Sequence, residues 1–127
     1  MKARVHGSDL FIRQEMIGES EEKILKQVEQ YLDGTRKSFD LDFSFPDTAQ
    51  GFILREINRI PYGETRTYSE IAEDIDSSAI AVGQACSQNP LRLIIPCHRV
   101  VGKNSIGGYQ AGEDIKRKLF ELEQIDF

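Results

Sequence analysis

The chain has 127 residues, of which 29% are charged, and a net charge of −5 at pH 7. This length allows a hydrophobic core but is short for two full domains, so we expect one domain with at most a small appendage. No apolar run approaches the ~20 residues of a membrane span, which predicts a soluble protein without a membrane partner. The N-terminus has no signal-peptide pattern, so we expect a cytoplasmic, intracellular location.

Metal binding is not expected from the few potential ligands. The chain contains two cysteines, Cys86 and Cys97, and two histidines, His6 and His98. Two cysteines are too few for a disulfide framework, and the four residues lack the clustered spacing of a structural zinc site. We therefore predict no metal.

The negative charge is unevenly distributed. Residues 79–112 contain Arg92, Arg99 and Lys103 but no Asp or Glu. A surface without carboxylates tolerates the phosphates of a nucleic acid. A Gly- and Ile-rich stretch also lacks acids by chance in some chains, so this pattern favours a nucleic-acid partner without deciding for one.

The N-terminal region is predicted to contain a hairpin and one helix. Apolar residues alternate on either side of Gly7-Ser8-Asp9, which is the pattern of a short β-hairpin. Ser20 is a suitable N-cap for a helix whose first turn is acidic, whose apolar residues share one face, and which ends at Gly34.

Residues 39–43 alternate Phe or Leu with Asp, which predicts an extended segment leading to Pro46. We place a boundary near that proline. The chain is therefore divided into an abbreviated N-terminal region, residues 1–46, and a second region, residues 47–127.

The second region is predicted to be mainly helical. Its first helix carries apolar residues at three-to-four spacing, namely Phe52, Ile53, Ile57 and Ile60. Thr67 and Glu70 have the spacing of a capping box and introduce a second helix. A last helix is predicted near residues 113–124, with Ile115, Leu119 and Leu122 facing inward.

A further helix, about residues 79–87, consists almost entirely of small and apolar residues. Two short helices joined by a tight turn, with the second bearing no acids, fit a helix-turn-helix whose second helix lies close to DNA. Tight packing of a small-residue helix on a neighbour explains the local pattern equally well.

Cys97 is directly followed by His98 and comes after the apolar run Leu93-Ile94-Ile95. A thiolate is a strong nucleophile, and a neighbouring imidazole is a standard base for producing it near neutral pH. Adjacent positions do not by themselves bring two side chains into contact, and buried cysteines are commonly inert. The residues alone therefore leave a nucleophilic and a packing role open for Cys97.

The segment Ile95-Pro96-Cys97-His98-Arg99-Val100 closely resembles the active-site motif of the O6-alkylguanine-DNA alkyltransferases, also called methylated-DNA–protein-cysteine methyltransferases. The resemblance covers about residues 20–125. Four further matches are the helix-turn-helix start at 60–72, the recognition-helix segment Ala81-Val82-Gly83-Gln84-Ala85 with Asn89-Pro90, the loop Gly108-Tyr109 with Gly112, and Glu123 on the last helix.

This resemblance implies an α+β fold, with a small N-terminal β-hairpin/helix region followed by a mainly helical domain containing a winged helix-turn-helix-like DNA-binding unit. It implies a single-turnover DNA repair enzyme that flips O6-alkylguanine out of double-stranded DNA and moves the alkyl (methyl) group irreversibly to Cys97. No cofactor is needed, because the damaged DNA supplies the alkyl group. We expect a monomer.

The resemblance also implies roles for individual residues. Glu123 would orient His98, and His98 would draw the Cys97 proton through a water. Tyr68 would assist the departing guanine O6. Asn89 would tie the turn after the recognition helix to the active-site segment, although an ordinary Asn-Pro turn is an alternative. The DNA and base contacts implied are Ile80, Ala81, Gly83, Gln84, Arg99, Gly108, Tyr109 and Gln110.

Two positions depart from the usual family pattern. Ile80 stands where most relatives place an arginine that enters the base stack; an isoleucine can act as an apolar wedge, or it packs inward if the helix register is shifted. Gln110 stands where a small residue is commoner, which predicts a narrower pocket. Two rival functions remain, a lesion-binding protein that accepts no alkyl group and a helix-turn-helix regulator, but the presence of Cys97 argues against the first.

Overall fold

The computed structural model describes residues Met1–Phe127 and has a mixed α+β architecture of five α-helices and four short strands. In chain order the elements are β1 (Lys2–Val5), β2 (Ser8–Phe11), α1 (Glu21–Leu32), α2 (Ala49–Ile57), β3 (Arg66–Thr67), α3 (Tyr68–Asp74), α4 (Ala79–Ser87), β4 (Val100–Val101) and α5 (Glu113–Glu123). Single turns of 3-10 helix lie at Gln14–Met16 and Cys97–Arg99. None of the helices combines the length and the apolar character that crossing a membrane requires.

The N-terminal hairpin and helix form as predicted. Strands β1 and β2 pair antiparallel around His6 and Gly7, which both have positive φ, as a tight hairpin turn requires. Ser20 caps α1 by accepting a hydrogen bond from the Lys23 backbone N–H. Beyond the hairpin, the Arg13 N–H donates to the Pro90 carbonyl at 2.8 Å, which attaches this region to the segment before Cys97.

Residues 39–43, predicted as an extended segment, are not part of a β-strand. Only an isolated bridge joins Phe43 to Ile17. The side chain of Gln27 accepts from the Asp40 N–H at 2.9 Å and donates to the Asp40 carbonyl at 3.0 Å, so a buried side chain takes the place of a partner strand. Partly buried and exposed residues alternate over 39–43, and the backbone of Asp40 bonds to Gln27 of helix α1.

Helix α2 begins after the Thr48 cap and buries Ile53, Leu54 and Ile57. Phe52, one of the apolar residues that indicated this helix, is 54% exposed. Leu54 and Ile57 are three apart and together define the inner face, which turns Phe52 toward solvent.

The two helices of the predicted helix-turn-helix pack against each other, and α2 packs on α4. The capping box at Thr67 and Glu70 is complete, with each side chain accepting the other residue's backbone N–H. Strand β3 pairs in parallel with β4, so that Thr67 lies opposite Val101. This pairing fixes the start of α3 relative to the segment that follows Cys97.

One hydrophobic core runs through residues of both predicted regions, from Val5 and Tyr31 at the N-terminal side to Ile71, Ile95 and Leu119. The division at residue 46 remains a prediction.

Candidate active site

Cys97 is the first residue of the 3-10 turn Cys97–Arg99, immediately after Pro96. The preceding residues Leu93, Ile94 and Ile95 are buried and anchor this turn in the core. Cys97 is 3% exposed and lines a cavity of about 270 Å³. The other residues around the cavity are Tyr68, Gly83, Cys86, Ser87, Asn89, Arg92, Gly108, Tyr109 and Gln110.

His98 is fully buried, and its Nε2 lies 2.7 Å from Oε2 of Glu123, the last residue of α5. Because an ionised carboxylate only accepts hydrogen bonds, Nε2 carries the proton in the neutral ring. The other nitrogen, Nδ1, is buried and has no hydrogen-bond partner within the protein. Its lone pair is therefore free to accept a proton.

Several donors converge on the Glu123 carboxylate. Arg99 Nε and Nη2 donate to its two oxygens at 2.9 Å each, and the Gly63 N–H donates to Oε1 at 2.9 Å. The Tyr31 hydroxyl donates to Oε2. Burial by itself raises the pKa of Glu123, but the hydrogen bonds from His98 and Arg99 outweigh burial and hold that pKa well below its usual range. Glu123 is therefore ionised at neutral pH.

The Cys97 thiol is held in its protonated form. Its contact with the Cys86 thiol, together with burial, raises the pKa of Cys97 well above the usual thiol value. The Asn89 side-chain amide acts against this rise, because its Nδ2 lies 3.2 Å from Cys97 Sγ. A base is consequently required to produce the thiolate near neutral pH.

His98 is suited to be that base. Burial lowers its pKa below 6.5, and the hydrogen bond and negative charge of Glu123 only partly offset that effect. The ring is therefore neutral at pH 7, and the ionised carboxylate behind it stabilises the imidazolium that forms when it takes a proton. A neutral imidazole that is oriented by a carboxylate and directly follows a cysteine in the chain can activate that thiol as a nucleophile through a bridging water.

Asn89 joins the turn after α4 to the active-site segment. Its amide Nδ2 donates to the Ile95 carbonyl at 2.9 Å, while its Oδ1 accepts from the Leu91 N–H at 2.9 Å. The residue thus makes a local turn bond and a contact to the segment before Cys97 at once. A tie to the active-site segment and an ordinary Asn-Pro turn were given as alternatives for Asn89. Its side chain makes a hydrogen bond of each kind.

The loop on the opposite side of the cavity is held by the buried lysine of α5. Lys116 Nζ donates to the carbonyls of Val100 at 2.7 Å and Gly108 at 3.1 Å. Burial lowers the pKa of Lys116 to about 8. A Cβ on Gly107, whose φ is +79°, would stand 2.8 Å from the Tyr68 hydroxyl, so only glycine allows this close approach. Burial also raises the pKa of Tyr68, which keeps its phenol protonated.

Helix α4 presents part of its surface to solvent. Ile80 is 75% exposed, Gln84 is exposed, and Ala81 and Gly83 are half-buried. The alternative in which Ile80 packs inward is therefore wrong. Ser78 caps the helix, whose first turn contains no acid.

Known proteins are similar to this chain in both sequence and fold. The family model described as "6-O-methylguanine DNA methyltransferase, DNA binding domain" matches residues 48–125. A methylated-DNA–protein-cysteine methyltransferase from Metallosphaera sedula is 44% identical over 79% of this chain, and one from Archaeoglobus fulgidus is 42% identical over 84%. The chain belongs to this methyltransferase family.

Solved members of the methyltransferase family have the same mixed α+β fold. The Mycobacterium tuberculosis OGT protein in complex with DNA superposes with a TM-score of 0.76 at 39% identity, covering 81% of this chain and 66% of that one. The Methanococcus jannaschii O6-methylguanine DNA methyltransferase gives 0.61 at 34% identity, covering 94% and 80%. The matched segments span 65% of the M. sedula protein and 77% of the A. fulgidus protein.

Most site residues expected from the methyltransferase resemblance lie around one cavity or on α4. His98, Glu123 and Arg99 belong to neither group. Arg99 was expected to contact DNA. It is 8% exposed, and besides its two bonds to Glu123 it donates from Nη1 to the Ile60 carbonyl at 2.8 Å. All three of its guanidinium nitrogens donate to partners inside the protein, and the DNA contact expected of Arg99 stays a prediction. Arg99 clamps the carboxylate behind His98.

Four residues near the site were not expected there from the sequence. Cys86 and Arg92 line the cavity, and Lys116 and Tyr31 contact its loop and its carboxylate. Lys116 lies three residues before the buried Leu119, so its place on the inner face of α5 was a usable signal. Tyr31 had no comparable signal in the sequence beyond its position on the apolar face of helix α1.

Proposed function

We propose that the chain repairs DNA by moving the alkyl group of O6-alkylguanine to Cys97. Cys97 Sγ forms a bond to the alkyl carbon while the bond from that carbon to guanine O6 breaks. The thiol proton passes to His98 Nδ1, through a water, and the guanine gains one proton in place of its alkyl group. The observation that supports this proposal is the unpartnered Nδ1 of His98, the residue that directly follows the buried Cys97 and whose Nε2 is held by Glu123.

The departing guanine oxygen needs a hydrogen-bond donor as it takes the electron pair of the broken bond. Tyr68 is our candidate, because it lines the same cavity as Cys97 and its phenol stays protonated. Gly108, Tyr109 and Gln110 line the cavity from the loop side and are proposed to contact the base. Asn89 is proposed to fix the position of the thiol.

The target atom is inaccessible in a stacked duplex, so we propose that the damaged nucleotide rotates into the cavity. Helices α3 and α4 would form a winged helix-turn-helix-like unit that binds double-stranded DNA, with Ala81, Gly83 and Gln84 facing it. Ile80 would insert as an apolar wedge. Support comes from the matched DNA-binding family model, from the related DNA complex and from the exposure of Ile80.

The reaction is proposed to occur once per molecule. A thioether has no easy hydrolytic exit, so an alkylated Cys97 cannot be regenerated by water. No cofactor is required for the transfer. We propose that the protein acts as a monomer inside the cell.

The test follows the lesion in DNA. A duplex containing one O6-methylguanine is titrated with protein, and the remaining lesion is quantified after nuclease digestion. One lesion should disappear per active chain, and Cys97→Ala should remove none while still binding the duplex. Binding by the wild type without any loss of lesion would identify a lesion-binding protein instead, and loss of many lesions per chain would exclude a consumed acceptor.

A further inference from the structure

Tyr31 connects the N-terminal helix α1 to the buried residues behind Cys97. It lies outside residues 48–125, which the family model matches, and its side chain is fully buried. Its hydroxyl donates to Glu123 Oε2, the same oxygen that lies 2.7 Å from His98 Nε2. The Tyr31 hydroxyl is also 3.4 Å from that nitrogen.

The Tyr31 ring is held by packing from separate parts of the chain. Phe39 lies 5.5 Å away between ring centroids, and Tyr62 lies 6.0 Å away in an edge-to-face arrangement. The His98 ring is also edge-on to Tyr31 at 6.5 Å. The hydroxyl is therefore presented to Glu123 from a fixed position, and it has little freedom to point elsewhere.

The Tyr31 hydroxyl is a permanent donor. Burial, followed by the nearby charge of Glu123, raises the pKa of Tyr31 far above its usual value, so the phenol stays neutral throughout the working pH range. A neutral phenol that donates to Oε2 restrains this oxygen against the imidazole N–H. It also reduces the negative charge that the carboxylate directs at His98.

We propose that Tyr31 is a positioning residue for the alkyl transfer, whose hydroxyl keeps Glu123 Oε2 on His98 Nε2 and so keeps Nδ1 available to Cys97. This inference rests on the proposed function. The N-terminal region then supports the proton transfer from Cys97 to His98, since helix α1 supplies Tyr31 as a hydrogen-bond donor to Glu123.

Tyr31→Phe removes the hydroxyl and retains the ring. We expect the single-turnover transfer rate to fall roughly tenfold, the effect of losing one hydrogen bond to a charged group. The pH at which the rate is half its plateau should rise, because Glu123 then directs more charge at His98 and favours the imidazolium. Ring nitrogen NMR shifts of His98, followed against pH, should show the imidazolium persisting to higher pH than in the wild type.

Tyr62→Phe is the matched control. Its hydroxyl donates to the Leu122 carbonyl at 3.2 Å and does not touch Glu123, while its ring packs on Tyr31. This variant should leave both the His98 shifts and the half-rate pH unchanged. If Tyr31→Phe does not fold, 3-fluorotyrosine at position 31 keeps the ring and strengthens the donor, and it should move the half-rate pH downward.

Wild-type His98 shifts in Tyr31→Phe would overturn the proposal, even if the rate fell, because Tyr31 would then be a packing residue only. An unchanged half-rate pH in the fluorotyrosine protein would overturn it as well. The NMR measurement uses the resting protein without DNA. A wild-type chain that transferred no alkyl group would refute the proposed function, while the NMR comparison would still decide the link between Tyr31 and His98.

Discussion

Arg99 holds both carboxylate oxygens of Glu123, with Nε donating to Oε1 and Nη2 to Oε2, each at 2.9 Å. The two residues come from the 3-10 turn that begins at Cys97 and from the last turn of α5. This bidentate pair joins two elements that are distant in sequence and fixes the carboxylate beneath His98.

Replacing Arg99 with Met should be strongly destabilising. It leaves a buried carboxylate short of two charged hydrogen bonds, and removing one partner of a buried ion pair typically costs about 3–5 kcal/mol. Urea unfolding should show this loss in the free energy of unfolding. Arg117→Met is the matched control, since it breaks an exposed pair with Glu113 and should cost less than ~0.5 kcal/mol. Equal costs for the two variants would contradict the clamping role of Arg99.

The pH dependence of transfer should report His98 as a base. Its pKa is lowered by burial to below 6.5, so the ring is neutral above that pH and cannot accept a proton below its own pKa. The single-turnover rate should therefore be flat through neutral pH and fall only in the acid range. Because the pKa of Cys97 is raised, a free-thiolate reaction would instead show a rate that climbs about tenfold per pH unit through pH 8. Such a climb would exclude base assistance.

Ile80 should matter only when a base must be taken out of a duplex. An exposed residue contributes little to folding, so Ile80→Ala should change the free energy of unfolding by less than ~0.5 kcal/mol. Transfer from a duplex should slow several-fold, whereas transfer from the free base O6-methylguanine should be unaffected. Slowing of both reactions by the same factor would show that Ile80 is not a wedge. Ile80→Arg should raise either the duplex transfer rate or lesion affinity.

Gln110 should restrict the size of the alkyl group. It lines the cavity beside Tyr109, and a smaller residue leaves more room next to Cys97. Gln110→Ser should raise the rate for O6-benzylguanine relative to O6-methylguanine in matched duplexes. Gln14→Ser, in the 3-10 turn Gln14–Met16 away from the cavity, should leave that ratio unchanged. A ratio that stays the same in both variants would remove Gln110 from the determinants of substrate size.

Local signals in the sequence predicted the helix starts well, because an N-cap side chain bonds to a backbone N–H only three residues further along the chain. Ser20 and the Thr67–Glu70 box start their helices as expected. The bonding partner of the extended segment at 39–43 could not be predicted, since the Asp40 backbone bonds to Gln27, more than ten residues away. Period-two alternation does not reveal whether a strand or a side chain will satisfy the backbone.

The site was predictable to the extent that the family motif contains it. Asn89 contacts Cys97, and His98 contacts Glu123. The contact of Arg99 with Glu123 was not predicted, because an arginine in an acid-free segment is equally suited to a phosphate or to a distant carboxylate. Tyr31 was missed, since its contact with Glu123 spans 92 positions and depends on packing between the two regions.

The central claim is that Cys97 itself receives the alkyl group. The protein is incubated with a duplex containing O6-methylguanine and digested, and the peptide that spans Cys97 is weighed and fragmented. We expect the mass of one added methyl group, located on the Cys97 sulfur, in a fraction of chains equal to the lesions lost. A lesion that disappears while this peptide keeps its original mass, or a methyl group found on Cys86, would contradict it.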